Sequence, residues 1–285
     1  MIQGALAGLA AGGLYATIAV CLTIMARLVR VVNFSQVAVG MFGAFTAVAL
    51  AGLGLPMVVS TVAGIVVGSV ISAIIGLIIA TWLADASITV RSAVSVAALL
   101  MLVALSFILF GTKPLPFTPI LSGAAFRVGT VVISQITVAL VIIAVLIAVL
   151  AKLLLSRTAI GMHLRALSDR PITAELVGIR STRLSVGVWA ATGALATLVV
   201  SIVAPSQSND ASSLALAVIP GAAAALAGGF RRLDLAVVGG LVLGMVDGAL
   251  AQADDLTIVR YFVPFIAIVV LLLWTQRKEV WDAAR

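Results

Sequence analysis

Apolar residues run along this chain in long stretches, separated by short polar segments. The stretches approach the length of about 20 residues at which a helix crosses the hydrocarbon core of a bilayer. We predict nine spans, near residues 4–26, 34–52, 57–83, 92–110, 130–154, 184–204, 212–229, 234–252 and 259–275. The first lacks a basic leader and a clear cleavage site, so we interpret it as a retained helix. The second is the weakest, and a tilted, broken or re-entrant helix stays open there.

The composition agrees with a membrane protein. Of the 285 residues 63% are hydrophobic and 9% charged, with a mean hydropathy of +1.31, whereas a soluble domain has about 25% charged residues. Strands of a membrane barrel alternate apolar and polar residues, but here the apolar runs are continuous. We therefore predict an all-α fold, a polytopic transmembrane helix bundle that forms a single transmembrane domain over residues 1–285.

Basic residues indicate the orientation. With the N-terminus outside and the C-terminus inside, the outside segments hold Lys113, Arg127 and Arg260, and the other fourteen of the 17 basic residues lie inside. Positive residues concentrate in cytoplasmic loops. The net charge of +7 is thus spread over short loops and does not form a basic face for nucleic acid. We expect a multi-pass membrane protein with this orientation.

One polar segment, about residues 156–183, is too long for a turn. Thr158 to Asp169 fits a short amphipathic helix, in which Arg165 and Asp169 stand four apart and can pair. Pro171 ends this piece or starts the next, and Gly178 supplies a stop. The pattern predicts a bent element parallel to the membrane. A docking site for a cytoplasmic partner, a lipid-surface helix and a merely long loop are all open at this point.

Catalytic and metal-binding patterns are absent from the sequence. There is no G-x-x-x-x-G-K-[ST] motif for ATP, no Ser/His/Asp set and no carboxylate pair. His163 has no neighbouring metal-ligand residues and reads as a contact residue. We therefore expect a non-catalytic chain that binds no metal and no cofactor of its own.

The polar segment and both ends of the chain resemble the branched-chain amino acid type ABC transporter permeases. The matching residues are Gly161, Arg165, Ala166, Asp169, Ala174, Gly178 and Ile179; Gly13-Leu-Tyr15-Ala16, Asn33-Phe34-Ser35 and Gly40 to Phe45; and Gly228-Gly229, Gly239-Gly240 and Gly244. The three motifs occur in the family's order over essentially the whole chain. Gln36, Val37 and Ala38 depart from it where the family commonly has His and Gly-Glu. Arg231 and Arg232 replace a Gly-Ser-like turn.

The resemblance implies a mechanism and partners. Two permease subunits, expected here as a heterodimer, would form the pathway, two cytoplasmic ATPase subunits would bind ATP and Mg, and an extracytoplasmic solute-binding protein would deliver the solute. The cytoplasmic segment would act as a coupling helix, with Gly161 allowing close approach of the ATPase and Arg165 pairing with an acidic group there or with Asp169. The expected ATPase-coupling residues are Gly161, Met162, His163, Arg165, Ala166, Asp169, Glu175 and Gly178.

Other residues are candidates for the pathway or for packing. Tyr15, Asn33, Ser35, Gln36 and Asp247 could line the pathway, although Asn33 or Ser35 could equally cap a helix, and Asp247 could be a satisfied packing residue. Small residues allow close helix contact in a membrane, within one bundle or between subunits. The candidates for that role are Gly40, Gly43, Gly64, Gly68, Gly240 and Gly244.

The leading function is a permease subunit of an ATP-driven importer for branched-chain or other small amino acids, or for amides such as urea. The alternative is a stand-alone secondary transporter or channel for a small polar solute. That alternative requires ionisable residues along the spans, and only Asp247 clearly qualifies.

Overall fold

The computed structural model describes residues 2–119, 121–128, 131–206, 210–253 and 258–283. These residues form a helical bundle with one small β-hairpin. The elements in chain order are α1 (Ile2–Leu28), α2 (Gln36–Gly52), α3 (Met57–Trp82), α4 (Ile88–Phe110), β1 (Ala124–Val128), β2 (Val131–Ser134), α5 (Gln135–Arg157), α6 (Ala159–Asp169), α7 (Pro171–Leu176), α8 (Ser181–Val203), α9 (Ala211–Leu216), α10 (Val218–Ala227), α11 (Leu233–Leu250) and α12 (Val263–Ala283).

Six helices are long and apolar enough to cross a membrane: α1, α3, α4, α5, α8 and α11. Shorter apolar segments cover Gln36–Gly52, Ala211–Ala227 and Val259–Thr275. All nine predicted spans thus coincide with helical segments in the described part of the chain, and the polytopic helical bundle is confirmed. The count of nine crossings and their orientation stay predictions, because three segments are short.

Two predicted spans differ from the structure. The span at 130–154 begins too early, because residues 131–134 form β2 and pair with β1, with Phe126 opposite Ile133 and Arg127 opposite Val132. The β-branched run Val131-Val132-Ile133 suits a strand, and the Ser134 side chain then caps α5 by accepting from the Thr137 amide at 3.1 Å. The span at 212–229 consists of two helices, α9 and α10, divided at Ala217.

Helix α2 is the centre of the bundle. Most of its side chains are buried, and it packs mainly against α3 and α8, with further contacts to α4 and α9. It is one continuous helix of 17 residues, about 26 Å long at 1.5 Å per residue. The broken alternative for the second span is therefore wrong, whereas the tilted and re-entrant alternatives stay open. Its inner position explains the weak signal, since a buried helix needs no apolar side chains for lipid contact.

Glycines set the closest helix crossings. A Cβ built on Gly240 would lie 2.5 Å from the Cα of Ala16 in α1, and one built on Gly244 would meet the backbone of Gly12. Real Cβ atoms do not approach so closely, so glycine at these positions lets α1 and α11 touch backbone to backbone. Gly240 and Gly244 therefore pack inside one chain, not between subunits.

A second glycine-mediated crossing joins α2, α3 and α8. A Cβ on Gly40 would lie 2.8 Å from the carbonyl carbon of Ala196, and one on Gly43 would lie 2.7 Å from the carbonyl oxygen of Gly64. Gly68 faces the side chain of Thr197. The bundle thus contains two tightly interlocked sets of helices, α1 with α11 and α2 with α3 and α8.

Candidate functional site

The polar segment folds into α6 and α7, and local sequence explains both. The Thr158 hydroxyl caps α6 by accepting from the Gly161 amide at 3.0 Å, a standard N-cap. Pro171 occupies the first turn of α7, where the missing N–H costs nothing. After α7 the chain turns at Gly178, whose φ of +86° is readily available only to glycine. The predicted start, break and stop of this element are confirmed.

Helix α6 buries one face against its own bundle. Leu164 and Leu167 are 4% and 6% exposed, and Gly161 is buried with them. A Cβ on Gly161 would lie 2.6 Å from the Cα of Leu155 in α5. Gly161 therefore permits close approach of α6 to α5 of the same chain, which corrects the expectation that it faces an ATPase groove.

The opposite face of the α6–α7 element is open. Ile160 and Met162 are more than half exposed on α6, and Leu176 and Val177 are 82% and 73% exposed at the end of α7. His163, Arg165 and Asp169 are exposed between them, and Ala166 is half-buried. Large apolar side chains interleaved with charged ones on an open face are typical of a surface that binds another molecule. We call this face the docking surface.

Three hydrogen bonds tie the end of α6 to the end of α1. The Arg30 guanidinium donates to the carbonyl oxygens of Ser168 at 2.5 Å and Asp169 at 3.4 Å. In return, the Ser168 hydroxyl donates to the Arg27 carbonyl at 2.8 Å. Each helix thus caps the other's last carbonyl groups, and a cation at a helix C-terminus also interacts favourably with the helix dipole. Arg30 takes up a φ of 56°, which a non-glycine residue rarely adopts.

A basic cleft of about 520 Å³ lies beside this junction. Its lining includes Arg27, Arg30, Asp169, Phe230 and Arg231, so Arg231, the first of the two arginines that depart from the family's motif, lies in the cleft beside α6. Three arginines against one aspartate favour an acidic partner group.

The predicted contact between Arg165 and Asp169 does not form. In the described residues the ion pairs join Arg232 to Asp234 and Arg260 to Asp247. An exposed pair four residues apart contributes only about 0.3–0.5 kcal/mol, too little to hold two mobile side chains together. Glu175 instead accepts a hydrogen bond from the Ser181 hydroxyl at the start of α8.

Asn33, Ser35 and Gln36 form a buried polar network between α1 and α2. All three are 0% exposed. The Asn33 carboxamide oxygen accepts from the Ser35 amide at 3.0 Å and hydroxyl at 2.6 Å, and its nitrogen donates to Gln36 Oε1 at 2.9 Å. Gln36 Nε2 donates to the Thr192 carbonyl of α8 at 2.6 Å. The network thus fixes the entry into α2, as a cap would, and a pathway role for these residues stays a prediction.

Tyr15 and Asp247 lie in a different place. Asp247 Oδ1 is 3.4 Å from Arg260 Nε, with about a quarter of each side chain exposed. Tyr15 is within electrostatic range of both charges, and the Arg260 guanidinium lies 5.1 Å from the ring centre of Tyr261. The five predicted pathway residues therefore form two separate groups, and Arg260 neutralises the carboxylate.

Sequence reasoning missed Arg30, Ser168 and Arg260 as site residues. From the sequence, Arg30 is only one of the fourteen basic residues placed inside. Its hydrogen bond to Ser168 joins residues that are 138 positions apart. No local pattern reports such a contact. Within the described residues, no group of three or more His, Cys, Asp or Glu side chains could hold a metal ion.

Comparison with known proteins bears on the whole chain. A solved structure titled PsaBC from Streptococcus pneumoniae in complex with Fab aligns with a TM-score of 0.48 at 18% identity, over 95% of this chain and 89% of that chain. No curated protein matches. The sequence model of the branched-chain amino acid transport system, permease component, matches residues 1–272, and the chain therefore belongs to this family of membrane permeases.

Proposed function

We propose that the chain is the membrane-spanning subunit of an ATP-driven importer in a bacterial cytoplasmic membrane. Its solutes are branched-chain or other small amino acids, or amides such as urea. The importer contains a second, non-identical permease, two cytoplasmic ATPase subunits that hold ATP and Mg, and an extracytoplasmic solute-binding protein. The N-terminus lies outside, so that α6 and α7 face the cytoplasm.

The docking surface is the observation that carries this proposal. Leu164 and Leu167 already satisfy the apolar side of α6 inside the chain. A helix that merely lay on lipid would turn its apolar side outward, whereas here Met162 alternates with His163 and Arg165 on the open face. Such a mixed face suits a protein groove with an acidic rim.

The junction of Arg30 with Ser168 supports a coupling role. A partner that pushes on α6 acts on α1 through these capping bonds, and on α5 through the chain itself and the contact at Gly161. Because α6 is held at both ends, it transmits a displacement as a rigid lever. ATPase closure on ATP would then shift α1 and α5 together.

The alternative of a stand-alone transporter has less support. Asp247, the carboxylate that could carry a coupling ion, is paired with Arg260 at 3.4 Å. A carboxylate that is already paired with a guanidinium is a poor binding site for a second cation, because the guanidinium repels that cation.

Co-purification in mild detergent tests the proposal. The tagged chain and two variants are purified from the native cells, and the accompanying proteins are identified and quantified by mass spectrometry. Met162→Glu places a charge on the docking surface, and Thr89→Glu places the same charge at the exposed start of α4, at the same end of the bundle. An acidic residue is favourable in a first helical turn, so Thr89→Glu is a matched control.

We expect a Walker A ATPase in stoichiometric amount with the unchanged chain and with Thr89→Glu, and its loss from Met162→Glu at unchanged yield of permease. Recovery of the unchanged chain alone, under conditions that preserve comparable complexes, would refute the importer and favour the stand-alone transporter. Equal ATPase recovery with both variants would place the docking site elsewhere.

A further inference from the structure

The basic cleft beside the junction of α1 and α6 is largely separate from the docking surface. It has a volume of about 520 Å³ and lies where the last turn of α1, the end of α6 and the turn between α10 and α11 meet. The exposed apolar side chains of the docking surface, Ile160, Met162, Leu176 and Val177, do not line it, whereas Asp169 borders both. The cleft is therefore a second candidate site with a chemistry of its own.

Three arginines dominate the lining of the cleft. Arg27, Arg30 and Arg231 are exposed there, against the carboxylate of Asp169. Ion pairs in the described part of the chain join other residues, so no carboxylate there neutralises any of the three guanidinium groups. Arg30 donates to the backbone of α6 through Nη2, which leaves the donors on its Nε and Nη1 for a ligand. The cleft thus carries an excess of positive charge and available N–H donors.

The backbone around the cleft is strained at two positions. Arg30 and Phe230 are the non-glycine residues with positive φ in the described chain, at 56° and 52°, and both line the cleft. This conformation is uncommon for any residue with a Cβ, and for a bulky residue such as phenylalanine it is an outlier. Backbone strain of this kind concentrates at sites that bind a ligand. It therefore marks the same cleft as the arginines do, by an observation that does not depend on charge.

Phosphate is the anion that suits this lining. A guanidinium presents a planar set of N–H donors that matches phosphate oxygens, and a phosphate exposes oxygens on several sides, so more than one arginine can bond to it. A volume of about 520 Å³ lies within the range of about 300–1,000 Å³ for small-molecule sites, which leaves room for the group esterified to the phosphate. Ala26 and Phe230 add apolar surface for that group.

The position of the cleft indicates where such a phosphate comes from. The cleft lies at the end of α1, whose last residue is Leu28, and just before α11, which begins at Leu233. Both helices are long and apolar enough to cross a membrane. In the orientation proposed above, the cleft is therefore level with the headgroups of the cytoplasmic leaflet. Anionic phospholipids give that surface a negative potential, and basic pockets between helices at this level bind their headgroups.

We propose that the cleft binds a phosphate group, presented by the headgroup of an anionic phospholipid. Arg27 and Arg231 donate to the phosphate oxygens from α1 and from the turn between α10 and α11, and Arg30 adds donors beside α6. The bound headgroup then links the three elements that meet at this junction. A free phosphate ester shares this chemistry, and the experiment below distinguishes the two sources. The site goes beyond the proposed function, because it requires neither the solute nor the ATPase.

A binding titration on the purified full chain tests the proposal. Native mass spectrometry measures the fraction of the chain that carries dioctanoyl phosphatidylglycerol, dioctanoyl phosphatidylcholine or glycerol phosphate as each ligand is added. Arg27→Gln combined with Arg231→Gln removes two charges from the cleft and keeps Arg30, which caps α6. The matched control combines Arg157→Gln with Arg183→Gln, since both arginines are exposed and lie outside the lining.

Phosphatidylglycerol should bind the unchanged chain and the control double variant with the same affinity. The Arg27–Arg231 double variant should bind it about 30-fold more weakly, because each arginine near an anionic lipid contributes about fivefold. Asp169→Asn should strengthen binding, since it removes the carboxylate that lines the cleft and repels a phosphate. Damage to the fold would not produce such a gain. Phosphatidylcholine, whose headgroup carries a compensating positive charge, should bind weakly to all these variants.

The remaining outcomes would overturn the proposal in different ways. Equal affinity of phosphatidylglycerol for the two double variants would refute the phosphate site. Equal affinity of the unchanged chain for glycerol phosphate and phosphatidylglycerol would replace the lipid by a free phosphate ester. Loss of the ATPase from the Arg27–Arg231 double variant during co-purification, with phosphatidylglycerol binding unchanged, would assign the cleft to an acidic group of the ATPase. The titration uses the chain alone, so its failure leaves the importer proposal standing, and absence of an ATPase leaves this site standing.

Discussion

Replacing Gly161 by alanine tests the attachment of α6 to the bundle. The added Cβ would lie 2.6 Å from Leu155 Cα and 2.7 Å from the Leu155 carbonyl oxygen, against an ordinary contact of at least 3.4 Å. Both neighbours are backbone atoms of α5, which cannot rotate away. The Leu154 carbonyl oxygen would be closer still. Helix α6 must therefore move outward by at least about 0.8 Å, the difference between 3.4 and 2.6 Å, or separate from α5.

The energetic cost follows from the packing. Forcing an extra methyl group into a packed interface costs about 1–3 kcal/mol. Burial of Leu164 and Leu167 contributes about 1.5–3 kcal/mol for each side chain, so the helix still docks most of the time. A cost of about 1–3 kcal/mol corresponds to a change of about 5–150-fold in an equilibrium. The undocked population of α6 should rise by that factor.

Hydrogen exchange with mass spectrometry measures this population directly. Amides of residues 162–169 should lose about 5–150-fold of their protection in Gly161→Ala, with α1 and α11 unchanged. Gly187→Ala is the matched control, since it adds the same methyl group to α8 where a Cβ meets nothing within 4 Å. Equal protection of α6 in both variants would show that α6 does not sit on α5 as described.

Three further predictions concern other parts of the chain. Gly244→Leu should lower the yield of folded protein strongly, because its side chain would displace the backbone of Gly12 and lower the free energy of unfolding by more than about 3 kcal/mol. Size-exclusion chromatography measures this yield, and a normal monodisperse peak would contradict the prediction. Thermal unfolding of Asp247→Ala, Arg260→Ala and the double variant should give a coupling free energy of about 1 kcal/mol between the two side chains. Additive effects would show that the 3.4 Å pair does not stabilise the fold. Partial burial acts to raise the pKa of Asp210, but hydrogen bonds from Ser212 and Ser213 outweigh it and lower that pKa below its ordinary value of 3.8. The charged Asp210 cap therefore stabilises α9 above that pH, and this stabilisation is lost as the pH falls further. Asp210→Ala should lower the free energy of unfolding by about 0.5–2 kcal/mol at neutral pH, and its difference from the unchanged chain should shrink at acid pH. A difference that does not depend on pH would rule out the charged cap.

The sequence predicts what local chemistry determines. Apolar stretches of membrane length mark the helices, and Thr158, Pro171 and Gly178 mark the start, break and stop of the cytoplasmic element because each acts on its own backbone. The family motifs extend this to the whole chain. The β-hairpin is not predicted, because the apolar run from Val131 to Ile133 suits either a strand or a helix. Periodicity cannot distinguish the two over so few residues.

Long-range contacts account for what the sequence does not predict. Whether Gly240 meets Ala16 or another subunit depends on which helix lies beside α11. Asn33 and Ser35 read equally well as pathway lining or as caps, and no local pattern reports that Gln36 joins their network to the Thr192 carbonyl of α8.

The two interlocked sets of helices determine how a movement of α6 would spread through the proposed importer. Helix α6 is hydrogen-bonded to α1, and glycines bring the backbones of α1 and α11 into contact, whereas α2, α3 and α8 form the other set. Tightly packed sets move as rigid bodies, since interlocked backbones cannot slide without clashes. A displacement of α6 would therefore move α1 and α11 together, and the buried side chains of the core that α1 shares with α2 and α8 would have to repack. The link from Val29 to Ser35, with Arg30 at positive φ, joins the two bodies and is where such a rotation would bend the chain.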